Sequence, residues 1–149
     1  MGMISKGSII DQLREKGLKI TSQRLAIIDV LVGLRGLHPG ARLVYGEARK
    51  YKKSLSLSTV YATLSELSRH GIIKTLQFDK AENRYEGNLG GHINLICESC
   101  HKIVDYIAPL AVDNDEIEKK TGFSITDSRL ECYGRCRECR EHKGSTRSA

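Results

Sequence analysis

Two pairs of cysteines dominate the chemistry open to this chain. Cys97 and Cys100 are two residues apart, as are Cys136 and Cys139. Such a spacer lets both sulfurs of one turn face a single ion, and two such knuckles can close a tetrahedral four-thiolate cage around zinc. A cage of four protein ligands leaves no open position for substrate, so its role would be structural. Two disulfides, or four separate buried thiols, are the competing readings.

The remaining composition fits a protein that keeps thiols reduced. The 149 residues suit one domain or two small ones, and 40% apolar content fills modest cores. The opening residues hold no secretory apolar run, and no stretch is long and apolar enough to span a bilayer. The expectation is a cytoplasmic protein without membrane contact, where metal binding outcompetes disulfides. Five cysteines, an odd number, agree with that. The +6 net charge permits nucleic-acid binding without proving it.

The elements needed to position these groups follow the apolar periodicity. A helix is expected over Ser8–Lys16, stopped by Gly17, and a second one is capped by Thr21 with Leu25, Ile28, Leu31 and Val32 inward and Arg24 outward. Glycines and the Pro39–Gly40 step make a loop before a third helix, Ala41–Lys52, burying Leu43, Val44 and Ala48. A fourth helix opens at Ser56 and stops at Gly71, with Val60, Leu64 and Leu67 inward. Strands Ile72–Phe78 and Asn83–Glu86 follow, joined by a turn over 79–82.

Helices followed by a hairpin is the order of a winged helix-turn-helix, in which the last helix enters the major groove of DNA. Ser58, Thr59, Tyr61 and Thr63 are then candidates for phosphate or base contacts, with Arg24, Arg69 and Lys74 in support. A plainer role exists for the hydroxyls, since Ser and Thr at a helix start also cap it.

A glycine- and asparagine-rich stretch, 87–91, reads as a hinge, dividing a winged-helix domain (1–86) from a second domain (92–149). Strands are expected over His92–Ile96, Lys102–Ile107 and Phe123–Tyr133, with a helix over Asn114–Lys120 and a fraying tail from Glu141. The whole is an α+β chain. Its second half is too small for a large core, so zinc and pairing with a second copy would have to support it. Cys132 reads as a packed thiol, and His142 as a remote alternative ligand.

These residues together resemble the ferric uptake regulators. The resemblance rests on Leu18-Lys19-Ile20-Thr21-Ser22-Gln23-Arg24, His38-Pro39, Ser58-Thr59-Val60-Tyr61 and the run His92 to Tyr106. It implies a homodimeric, metal-dependent repressor that binds double-stranded operator DNA, with a C-terminal α/β dimerisation domain. It also implies a regulatory Fe(II) or Mn(II) site with His38, Glu86, His92, Asn94 and Asp105 as ligands. Asn94 stands where the family usually has histidine, although an amide oxygen can still coordinate. Two imidazoles among oxygen donors suit Fe(II) or Mn(II). His38 and His92 match the histidines oxidised in the peroxide-sensing branch, and Asp105 is similar to that branch, whereas Glu86 and Asn94 depart from it. Sensing of iron, and behind it of manganese or zinc, is the alternative.

Three other functions compete. Cys97-Glu98-Ser99-Cys100-His101 satisfies the haem c attachment pattern, but covalent haem needs export and would leave the second cysteine pair idle. A dithiol redox enzyme would need a thioredoxin-like context that the pattern lacks. A zinc-ribbon module binding protein, not DNA, is separated by the salt dependence of duplex binding.

Overall fold

The computed structural model describes residues 4–78, 81–87, 92–107, 113–126 and 128–142. The turn residues 79–80, residues 88–91 of the expected 87–91 hinge and the tail beyond 142 lie outside them. The chain divides into two units, Met1–Gly90 and Gly91–Ala149.

The first unit contains α1 (Lys6–Glu15), α2 (Ser22–Gly33), α3 (Ala41–Tyr51) and α4 (Leu57–Arg69), then a short antiparallel hairpin of β1 (Lys74–Leu76) and β2 (Arg84–Glu86). Hydroxyl caps fix three of the helix starts. Ser5, Thr21 and Ser56 accept from the amides of Ser8, Arg24 and Thr59. The Ser5 cap explains why α1 begins two residues before the expected Ser8. Gly17 and Gly71 take positive φ just beyond α1 and α4, where a side chain would be strained. The core joins Ile9 and Leu13 to Ile27, Ile28, Val44, Val60, Leu64, Leu67, Ile72 and Ile73. Each such side chain contributes roughly 1.5–3 kcal/mol by leaving water.

Two expected faces are rotated. In α2 the buried residues are Ile27, Ile28, Val30 and Leu31, while Leu25 and Val32 are only half-buried. The helix is apolar on most sides, so periodicity alone cannot select its inner stripe. In α3 the buried set is Ala41, Val44 and Ala48, and Leu43 is exposed. Residues spaced three and four apart share a helix face, and Leu43, adjacent to Val44, is turned away from it.

The second unit is a three-stranded sheet of order β4-β3-β5, with β3 (Ile93–Cys97) in the centre. β4 (Ile103–Tyr106) pairs antiparallel and β5 (Leu130–Gly134) pairs parallel to it. A parallel neighbour requires a crossover, and α5 (Asn114–Thr121) lies within it, capped by Asp113 and ended by Gly122 at φ 70. A short α6 (Arg137–Glu141) follows β5. The expected strand from Phe123 is a correction. The Phe123 amide donates to Thr121 Oγ1 and the Ile125 amide to Glu118 Oε1, so both serve the end of α5 and the strand starts only at Leu130. Among the described residues no helix is long and apolar enough to cross a membrane.

Candidate metal centres and nucleic-acid interface

The first cysteine pair sits where β3 ends. Cys97 is the last residue of the strand, and the turn closes through His101, held at φ 61, with the His101 amide donating to the Cys97 carbonyl at 2.9 Å. The second pair sits after β5, with Cys136 at the residue before α6 and Cys139 inside its first turn. Parallel pairing aligns Cys97 with Gly134, and the Glu98 amide donates to the Gly134 carbonyl at 2.8 Å, so both knuckles open at the same end of the sheet.

The result is a group of four sulfurs all within 4.8 Å of one another. Cys100 and Cys136 sulfurs stand 3.7 Å apart. A tetrahedral ion with sulfur bonds of about 2.3 Å separates its ligands by about 3.8 Å, whereas a disulfide requires about 2.05 Å. All five cysteines are free of disulfides, and the cluster gathers neither Cys132 nor His142. Two of the four thiols differ in acidity. Amide donors, the Cys136 N–H foremost, pull the Cys97 thiol down to about 6, while the neighbouring sulfurs push Cys139 up to about 12. The four sulfurs fit a tetrahedral structural zinc ion. Cys132 is exposed on β5, because its alternate position on the strand turns it to the open sheet face and not into a core.

The candidate regulatory ligands form a local group in each unit. In the first, His38 Nε2 lies 3.4 Å from Glu86 Oε1, and both side chains are buried. His38 has a positive φ of 50, rare outside glycine, and β2 carries Glu86 to it. In the second, His92 Nε2 lies 3.2 Å from Asn94 Oδ1 and 3.8 Å from Asp105 Oδ1. Asn94 and Asp105 are directly paired across β3 and β4, and His92 shares the Asn94 side of the strand by its two-residue spacing. Imidazole, carboxylate and amide oxygen are donors that suit Fe(II) or Mn(II).

The four hydroxyl and aromatic candidates on α4 separate. Ser58 and Tyr61 are exposed at its first turns. Thr59 is half-buried, and its hydroxyl lies 2.8 Å from that of the Ser56 cap. Thr63 is a correction: it is 5% exposed among Val60, Leu64 and Leu67 on the inner face, so no duplex can reach it. Arg24 is a second one. Its guanidinium donates to the Lys19 carbonyl and pairs with Glu66 of α4, so it faces across the unit and not outward. Arg69 is exposed and Lys74 half-buried. Sequence reasoning missed Glu66, Glu82 and Arg84, whose roles arise from contacts with residues about forty positions away.

A winged-helix unit joined to a sheet unit with a thiolate zinc cage defines a class of metal-linked DNA-binding regulator. The family model described as the ferric uptake regulator family matches residues 15–133, and the chain belongs to that family. It is a metal-responsive transcription regulator, not an enzyme. The chain is 35% identical over 133 residues to the peroxide-responsive repressor PerR of Staphylococcus epidermidis, covering 89% of this chain and 88% of that one. It is 37% identical over 134 residues to the peroxide operon regulator of Bacillus subtilis, covering 87% and 90%. Among solved structures, the Helicobacter pylori ferric uptake regulator Fur superposes with a TM-score of 0.74 at 26% identity, over 94% of this chain and 97% of that one. PerR from Streptococcus pyogenes does so at 0.51 and 30% identity, over 93% and 95%.

Proposed function

We propose that the chain is a homodimeric repressor that binds operator DNA in its Fe(II)- or Mn(II)-bound form and senses peroxide through oxidation of His38 or His92. The ion would take His38 and Glu86 from the winged-helix unit, and His92, Asn94 and Asp105 from the sheet unit. Ligands on both sides of a hinge bind well together only at one mutual angle of the units, so metal selects that angle. The observation that carries the reading is that each unit holds a buried imidazole beside an oxygen donor, in a chain most of which matches peroxide-responsive repressors.

Fe(II) held by these ligands would supply the electrons that cleave the peroxide O–O bond. The imidazole ring then gains one oxygen at a carbon that carried hydrogen, and the other peroxide oxygen leaves as water. An oxidised ring is a poorer ligand, which releases metal and then DNA. A dimer is supported by the open sheet face, where Leu95, Val104, Tyr106 and Leu130 are all exposed.

Mass spectrometry after peroxide treatment of the Fe(II)-loaded protein tests this. One added oxygen on the peptide of His38 or His92 is expected, and none with Mn(II). Unmodified peptides under both metals would instead favour a repressor that responds to iron itself.

A further inference from the structure

The loop carrying His38 is strapped to the wing along its length. A non-glycine residue at positive φ is strained and persists only where its surroundings enforce it. Here β2 does so. Arg84 Nη1 donates to the His38 carbonyl at 3.2 Å, and the Tyr85 amide donates to the Pro39 carbonyl at 3.0 Å. Gly40 forms an antiparallel bridge with Arg84. Glu82 adds a fourth tie, accepting the Arg42 amide with Oε1 at 2.8 Å and so capping α3, whose N-cap is a glycine without a side chain. Its carboxylate occupies the space that a Cβ on Gly40 would need.

We propose that Arg84 is a positioning residue for the regulatory metal. Its guanidinium holds the His38 carbonyl, which keeps the imidazole turned towards Glu86 and ties the wing hairpin to the ligand loop. Metal gained or lost at His38 is thereby felt by the wing directly, within the DNA-reading unit. The ordinary role for a wing arginine, a phosphate contact, is the rival. The proposal rests on His38 and Glu86 being metal ligands.

The test compares wild type, Arg84→Met, Arg84→Ala and His38→Ala, each as the zinc-loaded full chain. Mn(II) affinity is measured by titration, and duplex affinity at saturating Mn(II) over a range of salt. Arg84→Met keeps the aliphatic stem, and carries the test should the alanine variant misfold. Expected for Arg84→Met is a 10–100-fold weaker Mn(II) affinity with unchanged zinc content, the loss typical when a ligand's supporting partner is removed. Saturating Mn(II) should restore duplex affinity with an unchanged salt slope. Unchanged Mn(II) affinity in Arg84→Met, alongside a loss in His38→Ala, overturns the proposal alone. Duplex affinity that stays low at saturating Mn(II), with a salt slope shallower by about one, makes Arg84 a phosphate contact and also overturns it. Unchanged Mn(II) affinity in both variants removes the ligand assignment, and the proposal with it.

Discussion

Arg24 at the start of α2 and Glu66 in the later part of α4 form an ion pair, and the same guanidinium donates to the Lys19 carbonyl. The pair fixes the helix that bears Ser58 and Tyr61 against its neighbour. Both side chains are about one-fifth exposed, so solvent screens the attraction only in part.

Arg24→Gln should therefore lower stability by about 1–2 kcal/mol, and Glu66→Gln by a similar amount. The double variant should cost less than the sum, because each single change already breaks the pair. Urea unfolding of the three variants checks this. An unchanged stability with a shallower salt dependence of DNA binding would make Arg24 a phosphate contact instead.

Zinc binding should be tied to protons in a stated direction. In the metal-free cage Cys97, lowered to about 6, is already a thiolate at neutral pH, whereas Cys139, raised to about 12, still holds its proton. Zinc needs thiolates, so loading at pH 7 should release protons, and affinity should fall as pH drops towards and below 6. Proton uptake or silence in a weakly buffered titration would contradict the cage. Cys136→Ser should lose the ion and, with it, the proposed dimer, since among the described residues the second unit buries few apolar side chains beyond Ile93, Ile96 and Ile103.

On α4 the two kinds of exposure make opposite forecasts. Tyr61→Ala should weaken duplex binding several-fold with the fold intact, because the ring faces out. Thr63→Val keeps the branched shape of a buried position while removing its hydroxyl, so any effect should fall on stability and duplex affinity should stay where it was. Thermal melts beside fluorescence anisotropy separate the two. A Thr63→Val variant that folds normally but no longer binds DNA would place that residue on the wrong face.

Sequence carried the local features well. Caps at Thr21 and Ser56, the stops at Gly17 and Gly71 and the paired knuckles are all set by residues within a few positions of each other. Faces were harder: α2 is apolar nearly all round, and Leu43 looks as suited to a core as Val44 beside it. Arg24, Glu82 and Arg84 were illegible in their present roles because each depends on a partner supplied by tertiary structure. Phe123 and Ile125 alternate like a strand, yet side chains of α5 take their amides first.

Duplex binding with and without the regulatory metal probes the centre of this account. Sheared DNA of the source genome is offered to the zinc-loaded protein with Mn(II) or with a chelator too weak to strip the thiolate cage, and the retained fragments are sequenced. A shared sequence recovered only with Mn(II), and lost in His38→Ala, is the predicted result. The same fragments retained under both conditions would contradict a repressor whose grip on DNA is set by metal.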